Sequence, residues 1–306
     1  MKYQEVTLNM DKDKYADEKS EPNYDESTER SPVSYVPGVD TCLRGWYIFK
    51  DADAEAIRSS NRRLVVFFHE NAGNIGLRLD YFELLYKRLN CDVFVIAYRG
   101  FSESDGTPNE EAIKSDMVQL NEYIRAVFKH KYYNAGGIFL LGRSLGGAVG
   151  TYLAALNESE TKEDLYRHGF NGLVLENTFT SIDDMVDHIF SIVRLFKSLI
   201  LRMHWNTAEL IGDIKSPILF VIGDKDEIVP WEMGAKLYDM AKGSMWRDIL
   251  IVKDGEHNDT WIQGNITYVE KLNAFFNKCV EVTGQQYQMW QQQSQVARSE
   301  ADITSD

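Results

Sequence analysis

From residue 64 onward the chain alternates between short, near-continuously apolar runs and longer amphipathic segments, a rhythm that few folds accommodate. The runs are Leu64–Phe68, Val93–Tyr98, Ile138–Leu141, Leu173–Leu175, Pro217–Ile222 and Ile249–Val252. A strand with one face in water alternates apolar and polar residues, whereas a run that is apolar throughout must be covered on both faces. The covers are the segments between: Leu79–Leu89, Glu111–Phe128, Gly147–Leu156, Trp231–Lys242 and Thr267–Val282. In Glu111–Phe128, for example, Ile113, Met117, Leu120, Ile124 and Val127 recur at helical spacing and form one apolar stripe. Strand and helix in strict turn predict an α/β domain, with a mostly parallel central sheet and helices on both faces. The 306 residues suffice for one such domain, here spanning 1–282.

Three segments break the rhythm. Residues 9–40 are acidic and polar, with Pro22, Pro32 and Pro37, and lie between the strand-like Glu5–Leu8 and Leu43–Phe49. The preferred reading is an antiparallel edge hairpin with a polar loop inserted at its tip; a disordered N-terminal tail is the alternative. Residues 178–211 exceed a simple crossover, and Met185, Ile189, Ile192, Val193, Phe196, Leu199 and Ile200 supply more apolar surface than one helix face needs. Two readings fit them, a small helical cap or a thick outer helix. Residues 283–306 read as a polar, glutamine-rich C-terminal tail without a core-forming pattern.

Charge and cysteine content narrow the function classes. The net charge is −14, against a nucleic-acid or anionic-lipid surface as main partner, because both require clustered positive charge. Cys42, Cys91 and Cys279 lie far apart, match no metal-binding spacing and suit a reducing compartment. The polar N-terminus has no signal-peptide pattern, and Arg194, Lys197 and Arg202 interrupt the most apolar helical stretch, so no transmembrane segment is read. A soluble, cytoplasmic protein is the expectation.

The chemistry begins at Gly142-Arg143-Ser144-Leu145-Gly146, which follows one apolar run and opens a helix of small residues. This G-x-S-x-G pattern is a nucleophile elbow, a tight strand-to-helix turn that exposes a serine hydroxyl. An incidental serine in a βα turn is the plainer alternative. A serine nucleophile needs a base, and the base needs a carboxylate to hold its tautomer. In this kind of sheet the two follow the serine as acid then histidine, each beyond the end of a later strand. Asp226 is the expected acid, because Gly-x-x-Asp-x-x-Val-Pro places it at the crest of the turn after Pro217–Ile222; Asp224 and Glu227 compete. His257, after Ile249–Val252, is the expected base, and His130, His168, His188 and His204 precede the required strand. An oxyanion needs two donors. One is the N–H of Leu145. The other belongs to the loop after Leu64–Phe68, where the N–H of Asn71 is favoured and Glu70 is the alternative. His69 in that loop reads as a buried shaping residue.

On these residues the chain resembles the alpha/beta-hydrolase superfamily, in its Bem-type branch related to protein depalmitoylases. The matching strings are His69-Glu70-Asn71-Ala72-Gly73-Asn74-Ile75-Gly76, Tyr98-Arg99-Gly100-Phe101-Ser102 and Gly142-Arg143-Ser144-Leu145-Gly146-Gly147. They continue with Glu176-Asn177-Thr178-Phe179-Thr180-Ser181, Asp226-Glu227-Ile228-Val229-Pro230 and His257-Asn258-Asp259-Thr260-Trp261. The resemblance implies Ser144 as nucleophile, Asp226 as acid and His257 as base. The chain departs from it where Glu70 stands in place of the usual glycine, in the insertion at 9–40, and in the lack of a membrane anchor or N-terminal cysteine cluster. A carboxylate at position 70 either narrows the site and opposes developing negative charge or points outward.

The expected function is a serine hydrolase cleaving a carboxylic ester or thioester, fatty-acyl substrates included, through an acyl-enzyme, with no metal or organic cofactor. Glu70, the acidic insertion and the glutamine-rich tail motivate a second expectation. In it, a non-catalytic or weakly catalytic hydrolase-fold subunit docks in a larger intracellular assembly through 9–40 and 284–306.

Overall fold

A computed structural model of the chain describes residues 1–10, 41–50, 53–133, 135–158, 169–188 and 203–304. Its strands are β1 (Lys2–Met10), β2 (Thr41–Phe49), β3 (Arg63–Phe68), β4 (Cys91–Ile96), β5 (Ile138–Arg143), β6 (Gly172–Glu176), β7 (Ile218–Gly223) and β8 (Arg247–Val252). The helices are α1 (Ala54–Ser59), α2 (Leu79–Arg88), α3 (Glu110–Tyr132), α4 (Leu145–Glu158), α5 (Ile182–His188), α6 (Thr207–Ile211), α7 (Trp231–Met240) and α8 (Thr260–Thr304). One sheet runs in the order β1-β2-β4-β3-β5-β6-β7-β8. The β1–β2 and β2–β4 pairs are antiparallel and every later pair is parallel.

The apolar runs behave as their composition requires. Along β3, Leu64, Val66 and Phe68 enter one core while Val65 and Phe67 enter the other, and β4 and β5 divide the same way. The larger core lies under α3, α4 and α7, the smaller under α2 and α8. Fully burying each such side chain stabilises the fold by roughly 1.5–3 kcal/mol, so a run of them commits the strand to the sheet interior.

β1 and β2 form the antiparallel edge hairpin, in register from Lys2 opposite Phe49 to Met10 opposite Thr41. The insertion between them, residues 11–40, lies outside the described residues, as do 189–202 of the 178–211 segment. β4 ends at Ile96, two residues short of the expected Tyr98, because the Tyr98 N–H leaves the ladder to donate to His69 Nε2 at 3.1 Å. The C-terminal region differs more: α8 begins at Thr260, kinks at Asn265 and continues to Thr304. The glutamine-rich stretch is therefore helical. Glutamine is a good helix former, and Gly284, with nothing within 4 Å, interrupts no packing.

Candidate active site

The site forms where β5 turns into α4. Ser144 has φ +53, in the left-handed region that a non-glycine residue enters only when its surroundings compel it. Those surroundings are backbone. A Cβ on Gly142 would stand 2.1 Å from the Gly146 carbonyl oxygen, and one on Gly146 only 2.0 Å from that of Phe68. Glycine at both positions lets the turn close against β3. The Ser144 N–H donates to the Glu176 carbonyl at 2.9 Å, and the Ser144 carbonyl accepts from Gly147 N–H and Thr178 Oγ1. Leu145, the first residue of α4, has an N–H with no acceptor within the helix.

The other expected residues converge on the same place. Asp226 stands in the turn after β7, and its Oδ1 accepts from the N–H groups of Ile228 and Val229, both at 2.8 Å. Its Oδ2 lies 2.7 Å from His257 Nδ1, with both side chains buried. The competitors are engaged elsewhere: Asp224 accepts from the Asp254 N–H at 2.6 Å, and Glu227 is exposed. With Nδ1 held by the carboxylate, Nε2 is the His257 nitrogen left for chemistry. A cavity of about 50 Å³ is lined by Ser144, Leu145, Glu70, Asn71, His257 and Asn258 on its polar side. Phe179, Ile182, Met185 and Ile228 line its apolar side, the first three from the described start of the 178–211 segment.

His69 is buried among hydrogen bonds. Its Nε2 accepts from the Tyr98 N–H, so Nδ1 carries the proton and donates to the Glu70 carbonyl at 2.7 Å, while the ring stacks on Tyr98. Burial holds its pKa down to about 4, despite the opposing hydrogen bond to Glu70, so the ring is neutral at physiological pH.

Glu70 neither projects into the cavity as a bare charge nor points outward. It is 3% exposed, and its carboxylate accepts from Arg78 Nε at 2.8 Å and Arg143 Nη1 at 3.1 Å. Burial pushes this carboxyl up, but the Arg143 and Arg78 guanidinium groups outweigh it and hold the pKa below the usual range.

The groups beneath the elbow carry no role that the sequence pattern marks. Arg143, directly before Ser144, has its Nε 2.9 Å from Glu176 Oε1, an ion pair too bent for a hydrogen bond. Its guanidinium also lies 4.7 Å from the centre of the Tyr81 ring. Glu176 Oε2 in turn accepts from Tyr268, which is hydrogen-bonded to Tyr81 at 2.6 Å. The available signal was a charge ending each of two apolar strands. Asn177, at φ +47, was missed as well. Its side-chain amide donates to Thr260 Oγ1 at 2.8 Å and to the His257 carbonyl at 3.1 Å, and its Oδ1 accepts from the Gly223 N–H at 2.9 Å. One side chain thus ties together the ends of β6 and β7 and the His257 loop.

Among the described residues no group of three His, Cys, Asp or Glu side chains is placed to hold a metal ion, and no helix is long and apolar enough to cross a membrane.

A family model for the alpha/beta hydrolase fold matches residues 63–202. The alpha/beta hydrolase domain-containing protein WAV2 of Arabidopsis thaliana is 33% identical over 226 residues, 70% of this chain and 70% of its own length. Protein bem46 of Schizosaccharomyces pombe is 37% identical over 205 residues, 65% of this chain and 63% of its own. Among solved structures, the Pyrococcus furiosus esterase Pf2001 aligns with a TM-score of 0.59 at 18% identity, over 78% of this chain and 86% of that one. Est1E from Butyrivibrio proteoclasticus aligns with a TM-score of 0.57 at 13% identity, over 79% and 96%. At such identities the structural likeness concerns the fold. The sequence relatives show that the chain belongs to the alpha/beta-hydrolase family, in the branch that includes bem46.

Proposed function

We propose that the protein is a serine hydrolase that cleaves a carboxylic ester or thioester through an acyl-enzyme. The observation that carries this reading is the 2.7 Å contact between His257 Nδ1 and Asp226, on a histidine that shares one cavity with the left-handed Ser144. Ser144 Oγ attacks the substrate carbonyl as His257 Nε2 takes its proton, and Asp226 holds the imidazole and stabilises the imidazolium. The tetrahedral oxyanion is met by the N–H groups of Leu145 and Asn71. His257 then protonates the leaving alcohol or thiol. Water, deprotonated by the same imidazole, releases the acid. Phe179, Ile182, Met185 and Ile228 offer an apolar wall to an acyl group, which favours an acylated substrate, fatty-acyl included.

The test is covalent labelling with a fluorophosphonate probe, together with turnover of p-nitrophenyl esters, for the wild type and Ser144→Ala. Both signals vanish in the variant if the reading holds. Labelling that persists without Ser144 refutes it.

A further inference from the structure

The two segments that carry the oxyanion donors are not neighbours in sequence, and their backbones are not hydrogen-bonded to each other at the donors. An oxyanion hole works only if both N–H groups lie 2.7–3.1 Å from one point, and a loop donor drifts unless something fixes it. Here a side-chain contact spans the gap. Glu70 immediately precedes Asn71, Arg143 lies two residues before Leu145, and the Glu70 carboxylate is paired with the Arg143 guanidinium at 3.1 Å. From the outer side Arg78 closes on the same loop, with Nε on Glu70 Oε2 and Nη2 on the Ala72 carbonyl at 3.1 Å. Residues 70 and 72, on either side of Asn71, are thus both held. Beneath, Arg143 is kept from turning by Glu176 and by the Tyr81 ring.

We propose that Glu70 is a positioning residue for the oxyanion hole, a clasp between Arg143 and Arg78 that sets the Asn71 N–H against the Leu145 N–H. The inference rests on the reading of Ser144 as nucleophile. It also accounts for an acidic side chain beside a site that develops negative charge. Glu70 and Glu176 are matched by Arg78 and Arg143, so the cluster presents no net charge to the oxyanion. The clasp acts on the transition state, since the oxyanion is absent from the ground state, and its loss therefore falls on kcat and leaves KM alone.

The experiment compares Glu70→Gln, Glu70→Ala and Arg78→Ala with the wild type in three measurements. They are ester turnover, the Ki of a trifluoromethyl ketone that adds to the serine as a tetrahedral oxyanion, and thermal unfolding. Misplacing a catalytic group by about 1 Å costs on the order of 100-fold and deleting a donor about 100- to 1,000-fold, so Glu70→Ala should lose about 10- to 100-fold in kcat. Glu70→Gln, which keeps one acceptor, and Arg78→Ala, which leaves the Arg143 contact intact, should lose less. The signature is a Ki that rises by the same factor as kcat/KM falls, with KM unchanged. Folded variants within twofold of the wild type overturn the proposal, as does a loss of kcat that the ketone Ki does not follow. If Glu70→Ala fails to fold, Arg78→Ala, at a side chain 16% exposed, decides by the same two criteria. A wild type without Ser144-dependent turnover instead refutes the hydrolase reading beneath it.

Discussion

Asn177→Ala is the substitution whose cost follows most directly from the geometry. The residue is 4% exposed, and its amide bonds Thr260 Oγ1, the His257 carbonyl and the Gly223 N–H at 2.8, 3.1 and 2.9 Å. Each such bond is worth about 1 kcal/mol net, and a buried N–H left without an acceptor costs about 1–3 kcal/mol, which for Gly223 is the larger figure to apply. The two lost donor contacts, about 2 kcal/mol, and the orphaned Gly223 amide, about 1–3 kcal/mol, together give about 3–5 kcal/mol. Alanine also has to hold φ +47, which costs about 1–2 kcal/mol more than a residue at home there. The expected destabilisation is therefore about 4–7 kcal/mol, measured by urea unfolding monitored with circular dichroism. Asn177→Gly separates the two contributions, since glycine loses the bonds but accepts the backbone angle, and it should be about 1 kcal/mol less damaging. Ester turnover should fall in both variants at temperatures where they remain folded, because the His257 carbonyl is no longer pinned. An Asn177→Ala cost below about 1.5 kcal/mol would show that the three contacts do not carry this stability.

Other consequences are equally direct. His69 binds a proton at 6.5 when unfolded but only at about 4 when folded, so its contribution to stability is complete above pH 6.5 and is lost as pH falls towards 4. That is worth up to about 3 kcal/mol, and His69→Asn should flatten the stability profile between those values in urea melts. A slope unchanged in the variant would mean that another group titrates there. Gly146→Ala drives a methyl group into the Phe68 carbonyl at 2.0 Å, a backbone-on-backbone clash with no side chain to yield. It should cost at least about 3 kcal/mol, the upper end of ordinary overpacking, and a melting temperature equal to the wild type would contradict the steric account.

Much of this architecture is written locally. The apolar runs declare strands covered on both faces, since no other arrangement hides them from water, and the alternation with amphipathic segments dictates parallel order. The elbow is equally local, because its glycines and serine are consecutive and their steric need is met by adjacent elements. The turn after β7 is legible too, for Asp226 caps the N–H groups of Ile228 and Val229 within its own pattern. The continuation of the last helix beyond Val282 has no core stripe to mark it; backbone hydrogen bonds and glutamine propensity suffice to continue a helix already begun.

What the sequence by itself determined, then, is the layered sheet, the strained serine and the order in which a carboxylate and an imidazole follow it. Tertiary structure alone decided the fate of the charges. Glu70 reads in sequence as an intruder beside the oxyanion loop, and in the fold it is half of an ion pair with a residue 73 positions away. Arg143 gains its partners from β3's loop, β6 and the Tyr81 ring, and Asn177 joins segments up to 83 positions apart. A buried charge or amide is tolerated only when matched, and its match is a matter of distance in space. Local pattern records which faces must be hidden; it carries no record of which distant side chains meet once they are.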